Sequence, residues 1–215
     1  MGFSKETPME AAWRDARIGR IYEGTNEINR LLTVGMLLKK ALKGELDLMT
    51  PAMEVAQELM GIPAFETPDY SVLFSEENAM VSNLKKVALM IAGKAVEIHG
   101  MELEKQQQLV SCIAEIIIEI YLAESTLLKT AKRVQQAPDA DSKAQIAMAQ
   151  LNLFNAVEKI SSKAKEAIFS LVKGDEQQML LMGLKRFTKY HNHPDAIALR
   201  KSIASKLISE NRYSF

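Results

Sequence analysis

The chain of 215 residues carries 27 Lys and Arg against 27 Asp and Glu, so its formal net charge is zero. With 47% apolar and 25% charged residues, it has the composition of a globular protein long enough to bury a core without staples. The balance removes the basic excess that a nucleic-acid binder shows on at least one face, so no nucleic-acid partner is expected.

In chain order, residues 1–7 read as a loop. Thr7-Pro8 is a helix start, with threonine as N-cap and proline at the first helical position. Glu10 falls in the first turn, where the helix dipole favours it. This helix is expected over Pro8 to Ile18, ending near Gly19, which can supply a left-handed C-terminal conformation. Ile21-Tyr22-Glu23-Gly24 follows, and two residues later a second helix begins. Thr25 is its N-cap, and Ile28, Leu31, Leu32 and Met36 recur at helical spacing as far as about Lys43, before Gly44.

Thr50-Pro51 repeats the capped start, and a short helix is expected up to Met60. Gly61, Pro63, Thr67 and Pro68 then make a loop, the best place for a boundary. Three long helices come next. Their stripes are Met80, Leu84, Val87, Ile91, Ala95 and Ile98; then Leu109, Ile113, Ile116, Ile120, Ala123, Leu127, Ala131 and Val134; then Ala149, Leu153, Val157, Ile160, Ala164, Ile168 and Leu171. Each stripe defines one buried face. The joints, Gly100 to Lys105 and Ala137 to Asp141, are short enough to make neighbouring helices antiparallel. A fourth helix is expected over Asp175 to Lys189 and a last one over Asp195 to Glu210. No stretch alternates in the manner of a strand.

The single cysteine, Cys112, lies in an apolar helical pattern and reads as a small buried hydrophobe. One cysteine allows no internal disulfide, which suits a reducing compartment. The residues after Met1 are polar, with Lys5, Glu6 and Glu10, and make no signal peptide. The apolar run Cys112 to Ala123 is broken by Glu115 and Glu119, well short of the roughly 18 residues of a spanning helix.

Glu23 precedes a glycine between two helices, where a carboxylate can project into a cleft. Gly24 lets a ligand approach the backbone closely. The amides that open the next helix offer donors to an oxygen. A base beside such donors is what proton abstraction next to a carbonyl requires. By itself the pattern is weak, since Glu-Gly-Thr between helices is usually only a turn.

The surroundings sharpen it. Gly2-Phe3, Pro8, Arg14-Asp15-Ala16-Arg17-Ile18, Ile21-Tyr22-Glu23-Gly24-Thr25 and Ile28-Asn29-Arg30-Leu31 together closely resemble the C-terminal signature of the flavin-dependent acyl-CoA dehydrogenases. The resemblance implies that Glu23 is the catalytic base, removing the α-proton of a fatty acyl-CoA thioester while hydride leaves the β-carbon for FAD. It implies that Gly24 meets the substrate thioester, and that Thr25, Asn26 and Glu27 contact FAD. It covers about 30 residues, and the β-domain that holds the flavin in complete members is absent. The chain is therefore expected to be the C-terminal part of a longer enzyme, inactive and weak in flavin binding alone. Residues 33–215 resemble, in arrangement, the helical extension of the very-long-chain branch.

The expected fold is all-α: the end of a dehydrogenase helical domain over 1–45, a short helix and linker over 46–74, and an appended antiparallel bundle of four or five helices over 75–215. Implied partners are an electron-transfer flavoprotein, the missing N-terminal part and a second copy in a homodimer. The implied compartment is the bacterial cytoplasm, or the mitochondrial matrix for a eukaryotic source. The alternative is a non-enzymatic helical module for dimerisation or membrane docking.

Other features read as ordinary structure. His99 lacks the Glu-x-x-His spacing of di-iron bundles. His191 and His193 flank Asn192 at a helix joint without a supporting cluster, so no metal site is expected. Met179, Met182, Leu180 and Leu181 read as core. Lys185, Arg186 and Lys189 read as a solvated basic face, which beside that cluster could also make peripheral contact with a membrane.

Overall fold

A computed structural model describes residues 4–61, 68–138 and 141–212. It holds α1 (Pro8–Ile18), α2 (Asn26–Leu42), α3 (Met49–Met60), α4 (Ser75–His99), α5 (Gln107–Gln136), α6 (Lys143–Leu171), α7 (Gly174–Phe187) and α8 (Ala196–Glu210), with a 3-10 turn over Gly100–Lys105. The chain is all-α among the described residues, as the absence of strand patterning predicts. Gly2-Phe3, and Pro63 and Thr67 of the expected linker loop, lie outside the described residues.

The centre is α4, α5 and α6, each packed against the other two. The predicted stripes form it: Leu84, Val87 and Ile91 of α4, Ile113 and Ile116 of α5, and Ile160 and Ile168 of α6 are all fully buried. Each such side chain taken out of water contributes about 1.5–3 kcal/mol. Cys112 is buried with them, and burial pushes its thiol pKa up, with nearby Glu166 adding to the shift. Ile98 departs from its stripe and is exposed, because the chain leaves α4 at Gly100, which has φ +50.

Neighbouring long helices run antiparallel. Lys159 meets Glu119 at 2.9 Å while Asn152 meets Thr126 at 3.2 Å, so numbering falls along α6 as it rises along α5. α7 lies antiparallel on α4, with Lys94 paired to Glu176 at one end and Lys86 over the Phe187 ring at the other.

Three helices cover this centre: α2 on α5, α3 on α4 and α7, and α8 on α6. α3 is held through Glu58, whose carboxylate takes Lys86 at 2.8 Å and Arg186 at 3.0 Å. Arg186 also donates to the Glu58 carbonyl at 2.9 Å. It is therefore no part of a solvated face. Leu180 is core as expected, but Met182 is exposed.

The caps correct the sequence reading at two helices. Thr50 lies inside α3, and the side chain of Asp47 accepts from the Thr50 amide at 3.0 Å. Thr7 precedes α1 in an extended conformation, but its hydroxyl donates to the Ser4 carbonyl instead of capping. Gly19 is right-handed, so α1 closes without a left-handed glycine. The left-handed residues come later, at Glu23 and Gly24.

Candidate active-site turn at Glu23

α1 ends in tightening bonds, from Ile21 N to Ile18 O at 2.9 Å and from Tyr22 N to Ile18 O at 3.3 Å. The chain then reverses through two positive-φ residues, Glu23 at +56° and Gly24 at +89°. Glycine adopts such a conformation freely, whereas glutamate stores strain of about 1–3 kcal/mol there, a cost that clusters at functional sites. Asn26 N donates to Arg20 O at 3.1 Å and clasps the turn from the far side. Asn29 Nδ2 donates to Gly24 O at 2.9 Å and closes it from α2.

Thr25 caps α2 as predicted, its hydroxyl accepting from Ile28 N at 3.2 Å. The carboxyl of Glu27 is held below its ordinary range by its own backbone amide first and then by the Thr25 hydroxyl, with smaller help from the charges of Arg20 and Arg30. Thr25 and Glu27 are therefore engaged with each other and with the helix start.

Glu23 is exposed and has no hydrogen-bond or ion-pair partner among the described residues. No carbonyl or side chain among the described residues accepts from the amides of Glu23, Gly24 or Thr25. A bare carboxylate thus stands beside three consecutive free donors, an arrangement able to take a proton next to an oxygen whose charge is growing. The five predicted site residues are consecutive: Glu23, Gly24 and Thr25 form the turn, and Asn26 and Glu27 open α2. The sequence reading missed those that hold it: Arg20, Asn29 and Arg30. The spacing of Asn26 and Arg30, one helical turn apart, is the signal that could have found the last of them.

Nothing among the described residues encloses this turn. α1 buries none of its residues, with Trp13 67% exposed and Tyr22, after it, 58% exposed. Ile18, Ile21, Ile28, Leu32 and Met36 are exposed as well. A cleft of about 260 Å³ lies elsewhere, between the first turn of α4, α6 and the α7–α8 joint. No group of three or more His, Cys, Asp or Glu side chains among the described residues could hold a metal. No described helix is long and apolar enough to cross a membrane.

The class the fold defines is an all-α bundle with a left-handed turn ahead of α2. Two family models, both described as "Acyl-CoA dehydrogenase, C-terminal domain", match residues 1–37 and 83–186. The chain belongs to the acyl-CoA dehydrogenase family. It is 35% identical over 214 residues to a Bacillus subtilis (strain 168) protein described as "Probable acyl-CoA dehydrogenase", a match covering 99% of this chain and 35% of that protein. The mitochondrial short-chain specific acyl-CoA dehydrogenase of Bos taurus is 62% identical over 39 residues, covering 18% of this chain and 10% of that protein. Among solved structures, the acyl-CoA dehydrogenase of Bacillus anthracis complexed with FAD superimposes with a TM-score of 0.92 at 35% identity, covering 100% of this chain and 36% of that one. The chain thus spans about a third of the length of the relatives it matches end to end.

Proposed function

We propose that this chain is the C-terminal portion of an FAD-dependent acyl-CoA dehydrogenase, and that Glu23 is its catalytic base. The observation that carries the reading is a Glu23 carboxylate without a partner among the described residues, on a strained turn beside three amides equally free of them. Glu23 takes the α-proton of a fatty acyl-CoA thioester onto its carboxylate. The amides of Glu23 and Gly24 donate to the thioester oxygen and stabilise the negative charge that builds there. The chemistry supplied by bound FAD is acceptance of hydride from the β-carbon.

Thr25, Asn26 and Glu27 fit one polar edge of a cofactor and no more. Thr25 hydroxyl and Glu27 carboxylate are occupied, which leaves the Thr25 amide and the Asn26 side chain to meet it. The rest of the cradle belongs to other parts of the enzyme, which also cover the apolar side chains along α1 and α2. Residues 1–45 then complete the catalytic helical domain, 46–74 link, and 75–215 form the appended bundle. The chain alone holds no flavin tightly and does not turn over. Electron-transfer flavoprotein as oxidant, a homodimer, a place in fatty-acid β-oxidation and a bacterial cytoplasmic setting belong to the same reading. The long helical extension is the ground for favouring long-chain thioesters. A series of substrates from butyryl-CoA to palmitoyl-CoA tests that preference, and a clear preference for butyryl-CoA overturns it.

The deciding experiment is co-expression with the N-terminal portion of the enzyme. Flavin retention and dehydrogenase activity are expected in the complex. Glu23→Gln should abolish turnover and leave flavin bound. A Glu23→Gln complex that turns over like its parent sinks the assignment.

A further inference from the structure

Arg30 occupies an unusual place. Its Nη1 donates to the carbonyl of Asn26 at 3.0 Å. Its Nε lies 3.4 Å from Glu115 Oε1 on α5, buried from water and outside hydrogen-bond geometry, so the contact is an ion pair alone. The other oxygen of Glu115 lies 4.0 Å from Lys163 on α6, and Lys163 pairs in turn with Glu166 at 2.9 Å. One guanidinium therefore joins the first turn of α2 to a charge chain across α5 and α6.

The backbone of Asn26 is gripped on both sides. Its amide donates to Arg20 O at 3.1 Å, and its carbonyl accepts from Arg30. Asn26 lies two residues beyond Gly24. Because α1 buries nothing, the turn takes its orientation from α2. α2 itself sits on α5 through buried Val34 and half-buried Leu31 and Leu38. Those apolar contacts fix the middle of the helix, but Arg30 is the polar contact that fixes its opening turn. A guanidinium can do both tasks at once because its donors diverge in a rigid fork.

We propose that Arg30 is a positioning residue, which sets the Glu23 turn against the bundle through Asn26 on one side and Glu115 on the other. The proposal rests on the reading of Glu23 as the base.

The test uses amide hydrogen exchange in the 215-residue chain, followed by kinetics in the complete enzyme. Arg30→Met should raise exchange at Asn26 and Asn29 about tenfold and leave the α5 and α6 core amides unchanged. Glu115→Gln, which preserves shape, should raise the same amides, and it keeps the test open if Arg30→Met folds poorly. Arg30→Lys, which retains the charge, should bring exchange back toward the parent. In the complete enzyme, Arg30→Met should lower kcat about tenfold with flavin retained and KM little changed. Unchanged exchange at Asn26 and Asn29, or an equal rise throughout the bundle, overturns the proposal. So does raised exchange with unchanged kcat. The exchange experiment needs neither flavin nor substrate. If Glu23→Gln stays active while exchange still responds to Arg30, the base assignment fails and the hold of Arg30 on the turn survives.

Discussion

Asn29 Nδ2 donates to the carbonyl oxygen of Gly24 at 2.9 Å, across the turn that presents Glu23. A Cβ on Gly24 would stand 2.9 Å from Asn29 Oδ1, at a φ of +89°. Gly24→Ala therefore strains the backbone and displaces the side chain that closes the turn. We expect a loss of about 1–2 kcal/mol of local stability, seen as faster amide exchange at Asn26 and Asn29. Asn29→Ala should cost about 1 kcal/mol at the same amides. Exchange rates matching the parent in both variants would count against this account.

Gly183 carries a different constraint. A Cβ there would lie 2.3 Å from Leu59 Cδ2 and 3.2 Å from Met90 Sδ, where α7 crosses α3 and α4. Gly183→Ala should lower the urea midpoint by an amount equivalent to about 1–2 kcal/mol, even though alanine favours helix. Adding Leu59→Ala should recover part of that loss, because it empties the space the new methyl enters. Strict additivity of the two losses would show that the crossing is not the cause.

Glu58 gathers Lys86 and Arg186 on one half-buried carboxylate. Glu58→Gln should loosen α3 from α4 and α7 by about 1 kcal/mol and leave the central helices intact. Limited proteolysis reads this directly, as faster cutting within residues 49–61 than in the parent.

Tyr190 stacks on Phe154 with ring centroids 6.4 Å apart, and its hydroxyl is buried without a partner among the described residues. Burial first, and then the charge of Glu158, pushes its pKa well above the ordinary 10.0. The folded state therefore keeps a proton that the unfolded chain gives up. Its contribution to stability is complete below pH 10 and is lost as pH rises beyond it. Tyr190→Phe should flatten that alkaline decline, measured by urea unfolding across the alkaline range. The same change should be neutral or slightly stabilising at pH 7, because an unpartnered hydroxyl leaves the core.

The long helices were legible because burial imposes a period on the sequence. Leu84, Ile113 and Ile160 sit where their stripes place them. Ile98 broke the pattern because a stripe does not record where the chain turns away. Caps were legible where one residue acts on its own helix, as at Thr25. They were misread where the capping side chain lies outside the expected start, as Asp47 does for Thr50. The left-handed conformation expected at Gly19, closing α1, stands instead at Glu23 and Gly24, just before α2. Gly19 and Gly24 look alike in sequence, and only the bonds from Asn26 and Asn29 decide which of them must be left-handed. Arg30 and Glu115 escaped because their contact joins helices far apart in sequence.

Trp13, the one tryptophan of the chain, stands 67% exposed on a helix that buries nothing. An indole so exposed is expected to emit as it does in water, so intrinsic tryptophan fluorescence should be nearly blind to melting of the bundle. The same probe becomes sensitive when another surface covers α1, because the indole then leaves water and its emission moves to the blue. The chain therefore carries its own optical reporter for docking, while its unfolding is better followed by circular dichroism.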